Sequence, residues 1–132
     1  MPRILIIEND PRDVRFAEQG AMQSGFSSII KTPSAEAAHA RLEKARIDKE
    51  DLPDVILLDI DLGSESGFDF LRVRYMTPWL LRIPLVVWTK LANHNQSFCD
   101  VFKVQAYVQK SAGEYGLSKA LENIMRQPSQ DK

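Results

Sequence analysis

The stretch DVILLDIDLGSESG (Asp54–Gly67) constrains the fold of this chain more than any other. Val55–Leu58 is apolar at every position, which is typical of a strand covered on both faces in the middle of a parallel sheet. The run ends at Asp59, and loop residues follow, with Asp61 among them. A carboxylate thus stands at the carboxyl end of a buried strand, the edge where open α/β sheets bind ligands. Because an unpaired ionised carboxylate is costly there, Asp59 needs a partner.

Short apolar runs of the same kind recur along the chain and alternate with helical patterns. The other predicted strands cover residues 4–7, 27–32, 85–88 and 107–108. Helices are predicted after Asp10-Pro11, after Ser34, after Gly67, and from a Ser111 cap to about Met125. The helix after Gly67 is expected to turn Phe68, Leu71 and Tyr75 inward, and residues 92–103 show only a weak helical pattern. This alternation predicts an α/β fold, a flavodoxin-like doubly wound five-stranded parallel sheet, (βα)5, with helices on both faces. The domain is expected to span residues 1–126, followed by a polar tail at residues 127–132.

Composition excludes several classes of protein. The 132 residues suit one domain, and a net charge of −1 leaves no basic surface for nucleic acid. The apolar runs are far too short to span a bilayer. The single cysteine, Cys99, rules out an internal disulfide and fits a reducing compartment. We therefore expect a cytoplasmic protein that binds neither membranes nor nucleic acid directly.

The carboxyl ends of parallel strands share one edge of a sheet, so the residues that follow each strand are brought together. These residues are Glu8, Asn9 and Asp10 after the first strand, Asp59 and Asp61 after the third, Thr89 after the fourth and Lys110 after the fifth. Carboxylates held this close need a cation to stay ionised together. Mg²⁺ binds one or two carboxylates along with phosphate oxygens, and a hydroxyl and an ammonium suit a phosphoryl group. The residues alone predict an aspartate that either binds Mg²⁺-phosphate or becomes phosphorylated as a nucleophile.

Four motifs, in their order and separation, resemble the receiver domain of two-component response regulators. They are ILIIEND, DVILLDIDL with Gly67 beyond it, IPLVVWT and AYVQK, and the resemblance covers the chain from Arg3 to about Met125. The resemblance implies that Asp59 is the phosphoacceptor and that the metal ion is held by Glu8, Asn9, Asp59 and the main-chain carbonyl of Asp61. It also implies that Thr89 is the switch hydroxyl, Lys110 the invariant lysine and Tyr107 the switch aromatic.

The resemblance also implies a mechanism and partners. In this family a phosphoryl group passes in line from the phosphohistidine of a sensor histidine kinase or histidine phosphotransfer protein to the aspartate, assisted by Mg²⁺. The new charge draws Thr89 and Lys110 inward and biases a surface of the fourth helix, fifth strand and last helix, where a downstream protein docks. We expect a stand-alone response regulator that is not a turnover enzyme, and a homodimer is compatible with this reading.

Three residues depart from the family pattern. Asn9 replaces an acidic metal ligand, which predicts weaker Mg²⁺ affinity; Asp10 can compensate, although capping a helix is its simpler role. Lys90 follows Thr89 where a small residue is usual, so it either obstructs the acceptor or adds positive charge. Ser111 follows Lys110 where proline is usual, which alters the expected loop.

Two other functions remain open from the sequence. The first is a pseudo-receiver, an interaction module of the same fold that works without phosphorylation, which the three departures favour. The second is a haloacid-dehalogenase-type phosphatase, in which Asp59 is the nucleophile and Asp61 the general acid-base. That family places the motif nearer the amino terminus and needs a later acidic pair, which is not found after Lys110.

Of the remaining groups, His39 is expected at the surface and Trp88 in packing.

Overall fold

The computed structural model describes residues 2–63, 65–90 and 100–126. The strands are β1 (Arg3–Ile7), β2 (Ser28–Thr32), β3 (Val55–Leu58), β4 (Asp61–Leu62), β5 (Glu65–Ser66), β6 (Leu85–Thr89) and β7 (Ala106–Gln109). Five of them form one parallel sheet in the order β2-β1-β3-β6-β7, and β4 pairs with β5 as a separate antiparallel ribbon. The order reverses direction at β1, as in flavodoxin-like sheets, so the predicted doubly wound fold is confirmed.

The helices occupy the connections between these strands. They are α1 (Pro11–Gln23), α2 (Ala35–Ile47), α3 (Gly67–Met76), the one-turn α4 (Pro78–Leu81) and α5 (Gly113–Arg126), with a 3₁₀ turn at Lys110–Ala112 before α5. Ser111 was expected to cap the last helix, but it lies inside the 3₁₀ turn and α5 begins at Gly113. Most of the predicted helix over residues 92–103, Cys99 and the tail at residues 127–132 lie outside the described residues.

Two apolar layers enclose the sheet because alternate strand residues point to opposite faces. One layer packs against α1 and α5, and the other packs against α2, α3 and α4. Buried residues of the five-stranded sheet in the first layer are Ile4, Ile6, Val55, Leu57, Val86, Trp88 and Val108. Those in the second layer are Leu5, Ile7, Ile56, Leu58, Leu85 and Val87. This double burial is what the continuous apolar runs predicted. No helix among the described residues is long and apolar enough to cross a bilayer.

The inward face of α3 differs from the prediction. Phe70, Leu71 and Arg74 are buried, whereas Tyr75 is 45% exposed and Phe68 is only partly buried. The Arg74 guanidinium donates to the backbone carbonyls of Leu81, Ile83, Phe102 and Lys103 and to Oε1 of Gln105. Burial lowers the pKa of Arg74 to about 10, which still leaves it charged at neutral pH. Arg74 therefore joins α3 to the segments that enter β6 and β7.

The predicted surface position of His39 is also wrong. Its ring stacks on Phe70, with the ring centroids 4.6 Å apart and an interplanar angle of 21°, and the residue is partly buried. An aromatic pair of this geometry adds about 0.5–1.5 kcal/mol beyond the burial of area alone. His39 thus contributes to the packing between α2 and α3.

Candidate functional site

The register of the central strands places Glu8 beside Asp59. Ile7 pairs with Leu58, and the hydrogen-bond ladder continues one residue further, since Asp59 N donates to Ile7 O over 3.1 Å. On the other side Glu8 N donates to Thr32 O over 3.0 Å. Both backbones are therefore fixed by the sheet itself, and both side chains are buried at its carboxyl edge.

Lys110 reaches this edge from the end of β7 and binds three carboxylates. Its Nζ lies 2.9 Å from Glu8 Oε1, 2.6 Å from Asp13 Oδ2 and 2.8 Å from Asp59 Oδ2. The Lys110 side chain is only 9% exposed, so these charge-assisted hydrogen bonds act away from bulk water. We call Glu8, Asp13, Asp59 and Lys110 the edge cluster. Within it, carboxylate oxygens of Glu8, Asp13 and Asp59 lie within 4.8 Å of one another.

Asp13 is the member of the edge cluster that sequence reasoning missed. Asp10 caps α1 by accepting from Arg12 N over 2.8 Å, and Pro11 occupies the first helical turn. Asp13 follows in that turn, where a carboxylate also interacts favourably with the helix dipole. The usable signal was its position: the first turn of a helix that leaves the carboxyl end of β1 faces the same edge as Glu8.

The Trp88 ring packs against the ammonium of Lys110. The Lys110 Nζ lies 4.8 Å from the centroid of the Trp88 ring, within the range of a cation–π contact. Trp88 also stacks on Phe16, with centroids 6.0 Å apart. Its buried Nε1 has no hydrogen-bond partner among the described residues. Trp88 is thus a packing residue, as predicted, and its indole directly adjoins the edge cluster.

The loop after β3 fixes the other Asp59 oxygen. Asp61 N donates to Asp59 Oδ1 over 3.0 Å, so the two carboxylate oxygens have different partners. A β-carbon at Gly67 would lie 2.6 Å from Asp59 O, which explains why the residue that opens α3 must be glycine. Gly63 has φ +76, a backbone conformation that proline cannot adopt. The Asp61 side chain itself is exposed and accepts from Gly63 N over 3.2 Å.

A small cavity opens beside Asp59. Its volume is about 70 Å³, and it is lined by Asp13, Asp59, Asp61, Thr89 and Lys90. That volume exceeds the space of a single water molecule, roughly 30 Å³. Thr89 is fully buried at the end of β6, whereas Lys90 is exposed. The cavity therefore brings the predicted acceptor, switch hydroxyl and modulating lysine around one space.

Three predicted residues lie at the margin of this arrangement. Asn9 is exposed, and its Nδ2 would lie 3.0 Å from a β-carbon built on Gly63, so its amide rests against that loop. Asp10 is engaged in capping α1, which holds its pKa below the ordinary value through the hydrogen bond from Arg12 N. Tyr107 is partly buried on β7 and packs against the layer that contains α2 and α3.

Burial and charge oppose each other within the edge cluster. Burial raises the pKa of Glu8 to about 7, even though Lys110 donates a hydrogen bond to it, and the charge of Asp59 adds to the increase. Burial alone would lower the pKa of Lys110, but its hydrogen bonds to Asp13, Asp59 and Glu8 outweigh this effect and raise it. Lys110 is therefore charged at neutral pH, while Glu8 lies close to its titration point.

We predict that Glu8 makes the metal-free protein less stable as pH rises. Its carboxyl pKa of about 7 when folded exceeds the ordinary 4.5, so the native state binds more protons between these values and stability falls with pH. In EDTA, the stability of Glu8→Gln relative to wild type should increase between about pH 5 and pH 8 by up to roughly 3 kcal/mol. Chemical denaturation at each pH measures this. A difference that stays constant with pH would contradict it.

The donor set fits a small divalent cation. Hard cations such as Mg²⁺ take carboxylate oxygens, and the three carboxylates of the edge cluster converge from β1, α1 and β3. The adjoining cavity leaves room for further oxygen ligands. The ammonium of Lys110 contacts the same three carboxylates.

Comparisons with known proteins agree with this geometry. No family model matches the sequence. Response regulator Rcp1 of Synechocystis sp. is 28% identical over 124 residues, which cover 92% of this chain and 84% of that protein. The phosphorylated cyanobacterial phytochrome response regulator RcpA has a TM-score of 0.75 and 26% identity, covering 93% of this chain and 90% of that chain. This chain is similar to response regulators in both sequence and fold.

Two further structures extend the comparison. The Mn²⁺-bound form of response regulator Rcp1 has a TM-score of 0.76 and 26% identity, covering 100% of this chain and 97% of that chain. Chemotaxis response regulator CheY4 of Vibrio cholerae has a TM-score of 0.77 at 18% identity, covering 94% of this chain and 98% of that chain, and shows the shared fold. The predicted resemblance to receivers is confirmed, while the roles of individual site residues stay predictions.

Proposed function

We propose that this chain is a stand-alone receiver that accepts a phosphoryl group on Asp59 and signals by docking another protein. The donor is the phosphohistidine of a sensor histidine kinase or histidine phosphotransfer protein. The observation that carries the proposal is the position of Asp59: its carboxylate is buried, bonded to Lys110, close to two further carboxylates and open to a cavity beside Thr89. Such a receiver takes one phosphoryl group per chain and is not a turnover enzyme.

Different groups of the chain have different roles in the proposed phosphoryl transfer. A carboxylate oxygen of Asp59 forms a bond to phosphorus while the bond from phosphorus to the donor's imidazole nitrogen breaks. Asp61 N and Lys110 Nζ hold the two Asp59 oxygens in place, so little orientation has to be acquired during transfer. Thr89 borders the cavity and is the group available to bond a phosphoryl oxygen from β6.

We propose Mg²⁺ as the cofactor, held by Glu8, Asn9, Asp59 and the main-chain carbonyl of Asp61. When bound, the ion supplies positive charge that offsets the negative charge of the phosphoryl oxygens. The relative Rcp1 has an Mn²⁺-bound form, and the relative RcpA has a phosphorylated form. The predicted weak affinity caused by Asn9 stays a prediction.

The downstream partner is proposed to dock on the face formed by residues 92–103, β7 and α5. Three apolar side chains among the described residues of these segments are exposed: Val101, Met125, and Tyr115 with 77% of its surface accessible. These side chains offer apolar area that a docked protein would remove from water. Residues 92–99 of this face lie outside the described residues. The occupant is another protein or a second copy of the chain, in the cytoplasm, with no direct contact to nucleic acid.

The pseudo-receiver is the second candidate, and one observation favours it. Lys110 bonds all three carboxylates of the edge cluster, so a side chain of the protein itself offsets part of their negative charge. The phosphatase hypothesis gains no comparable support among the described residues. The Asp61 carboxylate, which would act as its general acid-base, is exposed and bonded to its own loop.

Intact-mass measurement after incubation with acetyl phosphate and Mg²⁺ separates the first two functions. We expect the wild-type chain to gain the mass of one phosphoryl group, and to gain it more slowly in EDTA. Asp59→Asn keeps the size of the side chain and should gain nothing. An unchanged wild-type mass under conditions that modify a known receiver would favour the pseudo-receiver.

A further inference from the structure

The charge lost at Asn9 is not recovered from Asp10. A neutral amide at position 9 leaves the metal site one negative charge short of the family pattern. Asp10 is the neighbouring carboxylate, but its side chain accepts from Arg12 N and caps α1. Asn9 itself is exposed, with its amide against Gly63. The residues adjacent in sequence therefore do not supply the missing charge.

Asp13 supplies a carboxylate at the same place from one helical turn away. Its Oδ2 lies 2.6 Å from Lys110 Nζ, the shortest of the three contacts made by that ammonium. The side chain is about three-quarters buried, with 25% exposed. It also lines the cavity together with Asp59 and Thr89. Asp13 thus contacts the ammonium of Lys110 and also borders the cavity in which phosphoryl oxygens would lie.

We infer that Asp13 provides the second acidic ligand of the divalent ion, which the neutral Asn9 cannot provide. This inference rests on the proposed function and deepens it by moving one metal ligand from the loop after β1 to the first turn of α1. The donor set is then Glu8, Asp13 and Asp59, whose oxygens converge within 4.8 Å. Three carboxylates against a divalent ion restore the charge balance that Asn9 removes. On this inference the departure at position 9 relocates one ligand, and the Asp13 charge offsets the weaker Mg²⁺ affinity expected from Asn9 alone.

A purely structural role for Asp13 makes a different prediction. Near a helix amino terminus a carboxylate stabilises the helix, and Asp13 also anchors Lys110. If that were its only role, removing its charge would change folding stability and leave the binding of a divalent ion unaltered or improved, because Lys110 would compete less. Metal affinity, measured without any phosphodonor, separates the two roles.

The test uses Mn²⁺ as the probe and measures the concentration of free Mn²⁺ from its electron paramagnetic resonance signal. Four chains are compared with wild type: Asp13→Asn, Asn9→Asp, the double variant Asn9→Asp/Asp13→Asn, and Glu18→Gln. Glu18 is the matched control, because it is an acidic residue on the same helix that pairs with Lys31 at the surface over 3.3 Å. Thermal unfolding of each chain first establishes that it is folded at the temperature of the titration.

We expect Asp13→Asn to weaken Mn²⁺ binding by at least about tenfold, the lower end of what even an indirect partner of a metal costs. The double variant should recover most of that loss, and Glu18→Gln should bind as wild type does. The inference is overturned if Asp13→Asn binds Mn²⁺ as tightly as Glu18→Gln, if the double variant recovers nothing, or if the wild-type chain binds no Mn²⁺.

The same chains distinguish this inference from the proposed function. If acetyl phosphate adds no mass to the wild-type chain while Mn²⁺ binding still depends on Asp13, the phosphoacceptor role fails and the metal ligand stands. If the wild-type chain gains the phosphoryl mass while Asp13→Asn binds Mn²⁺ normally, the receiver function stands and the ligand assignment fails.

Discussion

Replacing Arg74 with alanine is expected to lower the free energy of unfolding by about 3 kcal/mol or more, because several buried carbonyl groups lose their donor at once. Arg74 is fully buried and holds the backbone of Ile83 through two of its nitrogens, with Nη2 only 2.9 Å from Ile83 O. Water cannot replace these donors without opening the joint between α3 and the entries to β6 and β7. Denaturant unfolding of the metal-free protein measures the change.

Arg72 provides the matched control on the same helix. It pairs with Asp69 one turn away, and both side chains are largely exposed. Exposed pairs of this kind contribute about 0–1 kcal/mol, so Arg72→Ala should unfold almost as wild type does. Equal losses from Arg72→Ala and Arg74→Ala would contradict the role that we assign to the buried arginine.

Replacing Lys110 with methionine is expected to destabilise the metal-free protein by about 3 kcal/mol, the low end of the cost of breaking a buried ion pair. The loss is limited because Glu8, whose pKa is already about 7, can take up a proton once the ammonium is gone. Since the pKa of Lys110 is raised on folding, its stabilising charge is present at every pH below its ordinary 10.5. The effect should therefore appear in full at neutral pH.

Mg²⁺ should recover much of this loss. Without Lys110 the three carboxylates no longer share their oxygens with an ammonium, so a divalent ion binds without that competitor. An ion at a hundred times its dissociation constant stabilises the folded state by about 2.7 kcal/mol. Lys119→Met, which removes an exposed lysine from α5, should change stability by less than about 0.5 kcal/mol. A Lys110→Met chain whose stability is the same in EDTA and in Mg²⁺ would contradict this account of the edge cluster.

The sheet was readable from the sequence because its signal is local. The three central strands β1, β3 and β6 are short, largely apolar runs with both faces buried, and the residue after each strand is polar. Once strand order follows from alternation with helices, the meeting of Glu8, Asp59 and Lys110 at one edge follows from chain direction alone. That is why the strand-end residues could be named without knowledge of any side-chain contact.

Arg74 and Asp13 could not be assigned in the same way. Arginine on a helix is usually solvated, and only the approach of two distant segments makes Arg74 the donor for their carbonyls. Asp13 has an adequate local explanation at a helix amino terminus, which concealed its tertiary contact with Lys110. In both cases the residue is explained by contacts across long sequence separations, which periodicity and propensity do not report.

The most direct test of the central claim locates the phosphoryl group. After exposure to acetyl phosphate and Mg²⁺, borohydride reduces an aspartyl phosphate to homoserine, and peptide mass spectrometry reads which residue has changed. Our account predicts homoserine at position 59 and an unmodified peptide 54–67 in the Asp59→Asn chain. Homoserine at Asp13 or Asp61 in the wild-type protein, or no reduced residue at all, would contradict it.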